Sequence, residues 1–197
     1  MDKNYQIFVN SLFNDFTIKY LGEFLKSLET NINNAENEKE RNEKYKDLED
    51  PVLEYIRNET YESFIFICVK IFEFELVKYL RVYDENINNR IGLSGLLNEV
   101  KELSGVDLRQ LNWDFIKNLK TLRNAITHHN SLFPELAPKD QDRIKNLIST
   151  VGEDKIYVDE QKRIILTLDF CMKTYDIVKN FFNKLYSLGF KNFPDNK

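Results

Sequence analysis

The chain has 197 residues, 42% of them apolar and 30% charged, and a formal net charge of −4. That balance suits one soluble globular domain and excludes a disordered chain. The acidic total argues against a broad phosphate-gripping coat and leaves room for a local basic site.

Fifteen phenylalanines and ten tyrosines, against six glycines and four prolines, favour long packed helices over a loop-rich fold. The opening MDKNYQIFVN lacks the charged-then-apolar order of a secretory leader. Residues 4–30 carry Phe13, Phe16, Tyr20, Phe24 and Leu28 at three- and four-residue steps, the pattern of an amphipathic N-terminal helix. A polar connector, residues 31–50, is either a solvated continuation of that helix or a loop. Asp50 as N-cap and Pro51 at the first helical position then open a helix running to about Tyr83, with a possible break near Asn58. Its second half, FIFICVKIFEFELVKYL, is apolar on nearly all sides, as a helix central to a bundle would be.

DENINNRIG reads as a loop, and Ser94–Ser104 as a shorter helix ended by Gly105. Asn112 can cap the following helix, WDFIKNLKTLRNAITHH, over about 113–129. NSLFPELAPKD is a turn-rich link, and residues 140–150 form a short helix. KIYVDEQKRIILTL has the look of a small hairpin around a polar DEQK turn. Thr167 caps the last helix, LDFCMKTYDIVKNFFNKLYSL, with Gly189 just beyond its end. No repeat or linker divides the chain. The expected architecture is all-α, one bundle of about five to six helices over 1–197 with a β-hairpin before the C-terminal helix.

Several chemistries are absent. Cys68 and Cys171 sit in apolar runs, as core residues of a reducing cytosol do. Neither C-x-x-C nor H-E-x-x-H occurs, so no metal site or cofactor is expected. A serine hydrolase lacks its G-x-S-x-G. Lysine and glutamate interrupt every apolar stretch, so no membrane span is expected and the cytoplasm is the expected compartment.

The chain's two histidines, His128 and His129, stand side by side in NLKTLRNAITHHNSLF. On a wheel of about 100° per residue, Phe115, Leu119, Leu122 and Ile126 form the buried stripe of this helix. Lys117, Lys120, Asn124, Thr127 and His128 share another face. His129 lies beside the apolar stripe and Arg123 on its other edge. A histidine moves protons near neutral pH, and an arginine offers a planar fork to phosphate oxygens. The lysines would steer a polyanion towards them, or simply form a solvated face. His129 suits a packing or capping role as well as a supporting one. In the central helix, Glu75 falls among Phe64, Cys68, Ile71, Tyr79 and Val82. If buried, its carboxylate needs a partner, Arg123 or a lysine; otherwise it reaches water at the helix edge. Glu73 lies elsewhere on that wheel.

RNAITH, from Arg123 through Asn124 to His128, resembles the signature of the HEPN superfamily: an arginine, four to six residues, then a histidine. The surrounding pattern is similar over roughly residues 50–190, with FIKNLKTL before the motif and IILTLDFCMKTYDIVKNFFNKL after it. The adjacent His129 departs from the pattern and leaves the functional histidine open, and the first 45 residues fall outside it. The resemblance implies a metal-independent endoribonuclease of the toxin–antitoxin or anti-phage defence kind. It implies His128 as the proton-transferring group, Arg123 stabilising charge on phosphorus, and Asn124 orienting the histidine or a phosphate oxygen. His129 and Glu75 would support them, and Lys117 and Lys120 would bind RNA. Because Arg123 and His128 stand about 140° apart on the wheel, a two-fold homodimer with a composite cleft is expected. An antitoxin or other defence-system protein is a further implied partner. The alternative is a non-catalytic module of the same fold that binds RNA, a nucleotide or a protein.

Overall fold

A computed structural model describes residues 2–41, 51–87 and 91–191. Among them are six helices: α1 (Lys3–Arg41), α2 (Pro51–Leu80), α3 (Leu93–Ser104), α4 (Trp113–His129), α5 (Pro138–Val151) and α6 (Leu168–Lys191). A two-stranded hairpin, β1 (Ile156–Val158) with β2 (Ile164–Leu166), precedes α6. It pairs antiparallel in the register Ile156↔Leu166, Tyr157↔Ile165, Val158↔Ile164. The chain is therefore mostly helical, with the hairpin where the alternating apolar pattern puts it. Among the described residues no helix is long and apolar enough to cross a membrane.

The central helix is α2, which packs on α1, α3, α4, α6 and β2. Its apolar residues serve neighbours on several sides, burying Phe64, Ile65, Cys68, Val69, Phe72, Leu76, Val77, Tyr79 and Leu80. Aromatic rings lock it to α6. Phe72 meets Phe181 edge-on with centroids 4.7 Å apart, and Tyr79 meets Tyr186 at 5.5 Å. Both cysteines are buried free thiols, and burial alone pushes Cys68 up to about 12.

Five local points are decided by the fold, the first of them between two readings left open. First, α1 continues to Arg41, so the front of the polar connector is helix; residues 42–50, with the Asp50 cap, lie outside the described residues. Second, α2 is unbroken at Asn58, whose amide donates to Glu62 Oε1 within the helix at 3.1 Å. Third, Gly189 lies inside α6 rather than after it. A Cβ there would stand 2.8 Å from Tyr79 Oη, so the glycine permits close helix contact instead of ending the helix. Fourth, Asn112 begins α4 with left-handed backbone (φ 52°) and no side-chain cap.

The fifth point is a correction and concerns the face of α1. Phe13, Phe16 and Tyr20 are exposed, at 58%, 63% and 74%, while Phe24 and Leu28 are only partly buried. The buried stripe is Ile7, Asn14, Ile18, Leu21, Leu25 and Ile32. Two stripes of equal period run along opposite sides of this helix, and helical spacing alone fits either one. Inside contacts choose between them: Asn14 Nδ2 donates to buried Glu75 Oε2 at 3.2 Å, and a Cβ at Gly22 would stand 2.8 Å from Tyr175 Oη.

Other expected stops are where the residues place them. Gly105 ends α3 in left-handed backbone, donating to Lys101 O, and Thr167 Oγ1 accepts the Phe170 N–H at 3.3 Å to cap α6.

A candidate phosphate-binding cleft on helix α4

The end of α4 is fixed before any chemistry can be placed there. Asn130 and Ser131 both take left-handed backbone (φ 47° and 61°), and Ser131 N–H returns to Ala125 O. Ser131 is buried, and its hydroxyl donates to Glu62 of α2. Its carbonyl accepts Ile164 N–H of β2 at 2.8 Å. Burial pushes the Glu62 carboxyl above the usual carboxylate range, against the hydrogen bonds from Ser131 and Asn58 that favour its charged form. So one buried acid and one strand hold the last turn of α4.

On the face of α4 between α3 and α5 opens a cleft of about 440 Å³. Helix α4 contributes Trp113, Lys117, Lys120, Asn124 and His129 to its walls. Ser94 and Asn98 come from α3, and Asp140 and Arg143 from α5. Three cations face one carboxylate here, Lys117, Lys120 and Arg143 against Asp140. The cleft is thus locally positive in an acidic protein. Lys120 makes no ion pair among the described residues. Lys117 Nζ lies 3.0 Å from the Trp113 ring centroid and 3.9 Å from Asp114 Oδ1. Arg143 Nη1 is 3.1 Å from Asp140 Oδ1 and 3.4 Å from Thr121 Oγ1, which sets its guanidinium across the floor.

His129, the last residue of α4, also lines the cleft, with its side chain 38% exposed. Its Nδ1 lies 3.9 Å from Glu135 Oε2, on the 3-10 turn Phe133–Glu135. A carboxylate on that side favours the orientation in which Nε2 is left for other work. His128, one residue earlier, is exposed and does not line the cleft.

Arg123 faces another way. It packs at the edge of the buried stripe, and its Nη2 lies 3.8 Å from Glu73 Oε1 of α2, the side chains being 15% and 21% exposed. Its Nε is buried without a hydrogen-bond partner. The arginine and either histidine therefore do not converge within one chain. Glu75 is wholly buried on the α1 side of α2, held by Asn14 and by Lys78 Nζ at 3.1 Å from each carboxylate oxygen. Of its two foreseen partners it has the lysine, and the arginine's partner is Glu73, which the wheel had set aside.

Of the sequence-derived residues, then, Lys117, Lys120, Asn124 and His129 come together, while Arg123, His128 and Glu75 stand apart from them. The residues missed were Arg143, Asp140 and Glu135. No local pattern marks them, since Arg143 and Asp140 reach the cleft only through the packing of α5 on α4, and Glu135 reaches His129 only through the turn that precedes α5. Among the described residues no group of three histidine, cysteine or acidic side chains is placed to hold a metal ion. Comparison with known protein families, with curated proteins and with solved structures returns no match for this chain.

Proposed function

We propose that this chain is a metal-independent RNA endonuclease of the HEPN type, with the phosphodiester held in the α4 cleft and His129 moving the proton. The supporting observation is the convergence of His129, Asn124, Lys117, Lys120 and Arg143 on one open cleft. The motif resemblance adds to it, because the five residues between Arg123 and His129 fit the four-to-six spacing as well as the four before His128 do. In this reading the ribose 2′-oxygen attacks phosphorus and the bond to the 5′-oxygen breaks, giving a cyclic phosphate and a free 5′-hydroxyl. His129 takes the 2′-hydroxyl proton, and the imidazolium so formed returns one to the departing oxygen. Lys120 and Arg143 balance the charge that develops on the phosphoryl oxygens, and Asn124 donates to one of them. Here the reading departs from the motif: Arg123 is paired with Glu73 on the α2 side, and Arg143 takes the phosphate-stabilising part that the resemblance implies for Arg123. A role in a toxin or defence system, and an antitoxin as partner, enter this proposal through the resemblance alone.

One observation favours a second reading, a non-catalytic RNA- or nucleotide-binding module: the motif arginine is engaged by Glu73, away from the cleft. A single assay separates the two. Mixed RNA is incubated in EDTA with wild type, His129→Ala, His128→Ala, Arg143→Met and Arg123→Met. Cleavage by the wild type and by His128→Ala, with a loss of about 100-fold or more in His129→Ala, is the expected result. RNA binding without any cleavage selects the binding module. Activity that survives His129→Ala and disappears with His128→Ala refutes the histidine assignment.

A further inference from the structure

Helix α1 is apolar on two opposite sides, and among the described residues only one of them is covered. The inner side supplies Ile7, Ile18, Leu21, Leu25 and Ile32 to the core. The outer side exposes Tyr5, Phe8, Leu12, Phe13, Phe16 and Tyr20, each between 46% and 74% open to solvent. Across α2 the patch continues in Phe74, 56% exposed; Lys78 Nζ lies 5.7 Å from the Phe13 centroid and 5.5 Å from that of Phe74, bridging the two helices. At about 200 Å² for a whole aromatic side chain, these rings together expose roughly 700 Å². That exceeds the largest apolar patch of an ordinary monomer, about 300–600 Å². It matches the roughly 800 Å² that each partner contributes to a standard stable interface.

We propose that the outer face of α1 is the interface of an isologous homodimer, α1 packing on α1 of a second copy. Three features favour the chain itself as occupant. The charge in the patch is balanced, so two copies meet without a net like charge: Lys78, between Phe13 and Phe74, is paired with Glu75, and Asp15 and Lys19, on the Phe8–Leu12 side of the stripe, are of opposite sign. Its residues form parallel ridges at four-residue spacing, Phe8–Leu12–Phe16–Tyr20 beside Tyr5–Val9–Phe13. Packing in which both helices use their four-residue ridges is the commonest helix crossing, and a two-fold pair must use the same ridges on both sides. Beside Tyr5 lies a hollow of about 460 Å³ between α1 and the end of α2, lined by Val9 and Val82 together with the cations Lys78 and Arg81, which an aromatic ring of the partner's ridge can enter by apolar and cation–π contact.

This interface differs from the two-fold pairing through the motif that the family resemblance implies. Helix α1 packs on α2 and α6, whereas the cleft is walled by α3, α4 and α5, so each cleft stays complete within one chain.

The test is sedimentation velocity on the full chain at about 50 μM, well above a micromolar dissociation constant. The wild type is expected at twice its 23.5 kDa, and Phe16→Glu at 23.5 kDa with an unchanged helical circular dichroism spectrum. Since Cys68 and Cys171 are buried, Leu12→Cys supplies the reactive thiol and is expected to yield a disulfide-linked dimer on mild oxidation. A monomeric wild type overturns the proposal, as does a dimer that persists in Phe16→Glu. A monomer that pellets with anionic vesicles also overturns it, reassigning α1 to a membrane surface. RNA cleavage is independent of all these outcomes, so the two proposals fail separately.

Discussion

Replacing Arg123 with methionine keeps the bulk of its stem and removes the charge that faces Glu73. At 3.8 Å the pair attracts by about 4 kcal/mol at an effective dielectric near 20. Drawing a guanidinium that is only 15% exposed out of water takes back much of this, and its unpartnered Nε adds to the cost. A net coupling of about 1–2 kcal/mol remains. For a chain of this length that amounts to roughly 2–8 °C in Tm. The assay is a double-mutant cycle of Arg123→Met, Glu73→Gln and the double variant, followed by thermal and urea unfolding. Glu73→Gln should destabilise the more, because it leaves the largely buried Arg123 charge unpaired, whereas Arg123→Met leaves Glu73 with Lys70 Nζ at 3.5 Å; the double variant should regain part of the loss seen in Glu73→Gln. RNA binding, measured below the transition, should be unchanged. A coupling below about 0.3 kcal/mol, together with loss of RNA binding in Arg123→Met as severe as in Arg143→Met, would refute the assignment of Arg123 to helix packing.

Lys78→Met leaves the fully buried Glu75 carboxylate with Asn14 alone and should cost about 3 kcal/mol, read as a lower urea midpoint; Glu75→Gln in the same chain should restore much of it. The Glu62 carboxyl sits above its unfolded value because of burial, so the folded state holds its proton longer than the unfolded chain does. The stability it contributes is therefore present at acid pH and is lost as pH rises from about 4.5 through the folded value. Unfolding midpoints of wild type and Glu62→Gln, measured across that window, should diverge in favour of the glutamine as pH rises; parallel curves would mean that Glu62 is solvated. His129, placed by Ser131 and Glu62, is expected to keep its position in Glu62→Gln, because the amide oxygen still accepts the Ser131 hydroxyl; retained RNA binding checks this.

Much of the architecture is local and was readable in the residues. Trp113–His129 is bounded as the apolar period bounds it, Gly105 and Thr167 stop and start helices through backbone and hydroxyl chemistry, and DEQK turns the hairpin. Periodicity also put Lys117, Lys120 and Asn124 on one face of α4, since angles around a helix depend only on spacing. What spacing leaves open is the identity of the neighbour each face meets. Tertiary packing decided that Ile18 and Leu21, not Phe16 and Tyr20, enter the core; that Glu73 rather than Glu75 meets Arg123; and that Arg143 arrives from α5 to face Lys120. It also gave adjacent histidines, about 100° apart on the wheel, different surroundings: His129 lines the cleft with Glu135 3.9 Å from its Nδ1, while His128 is exposed and lies outside it.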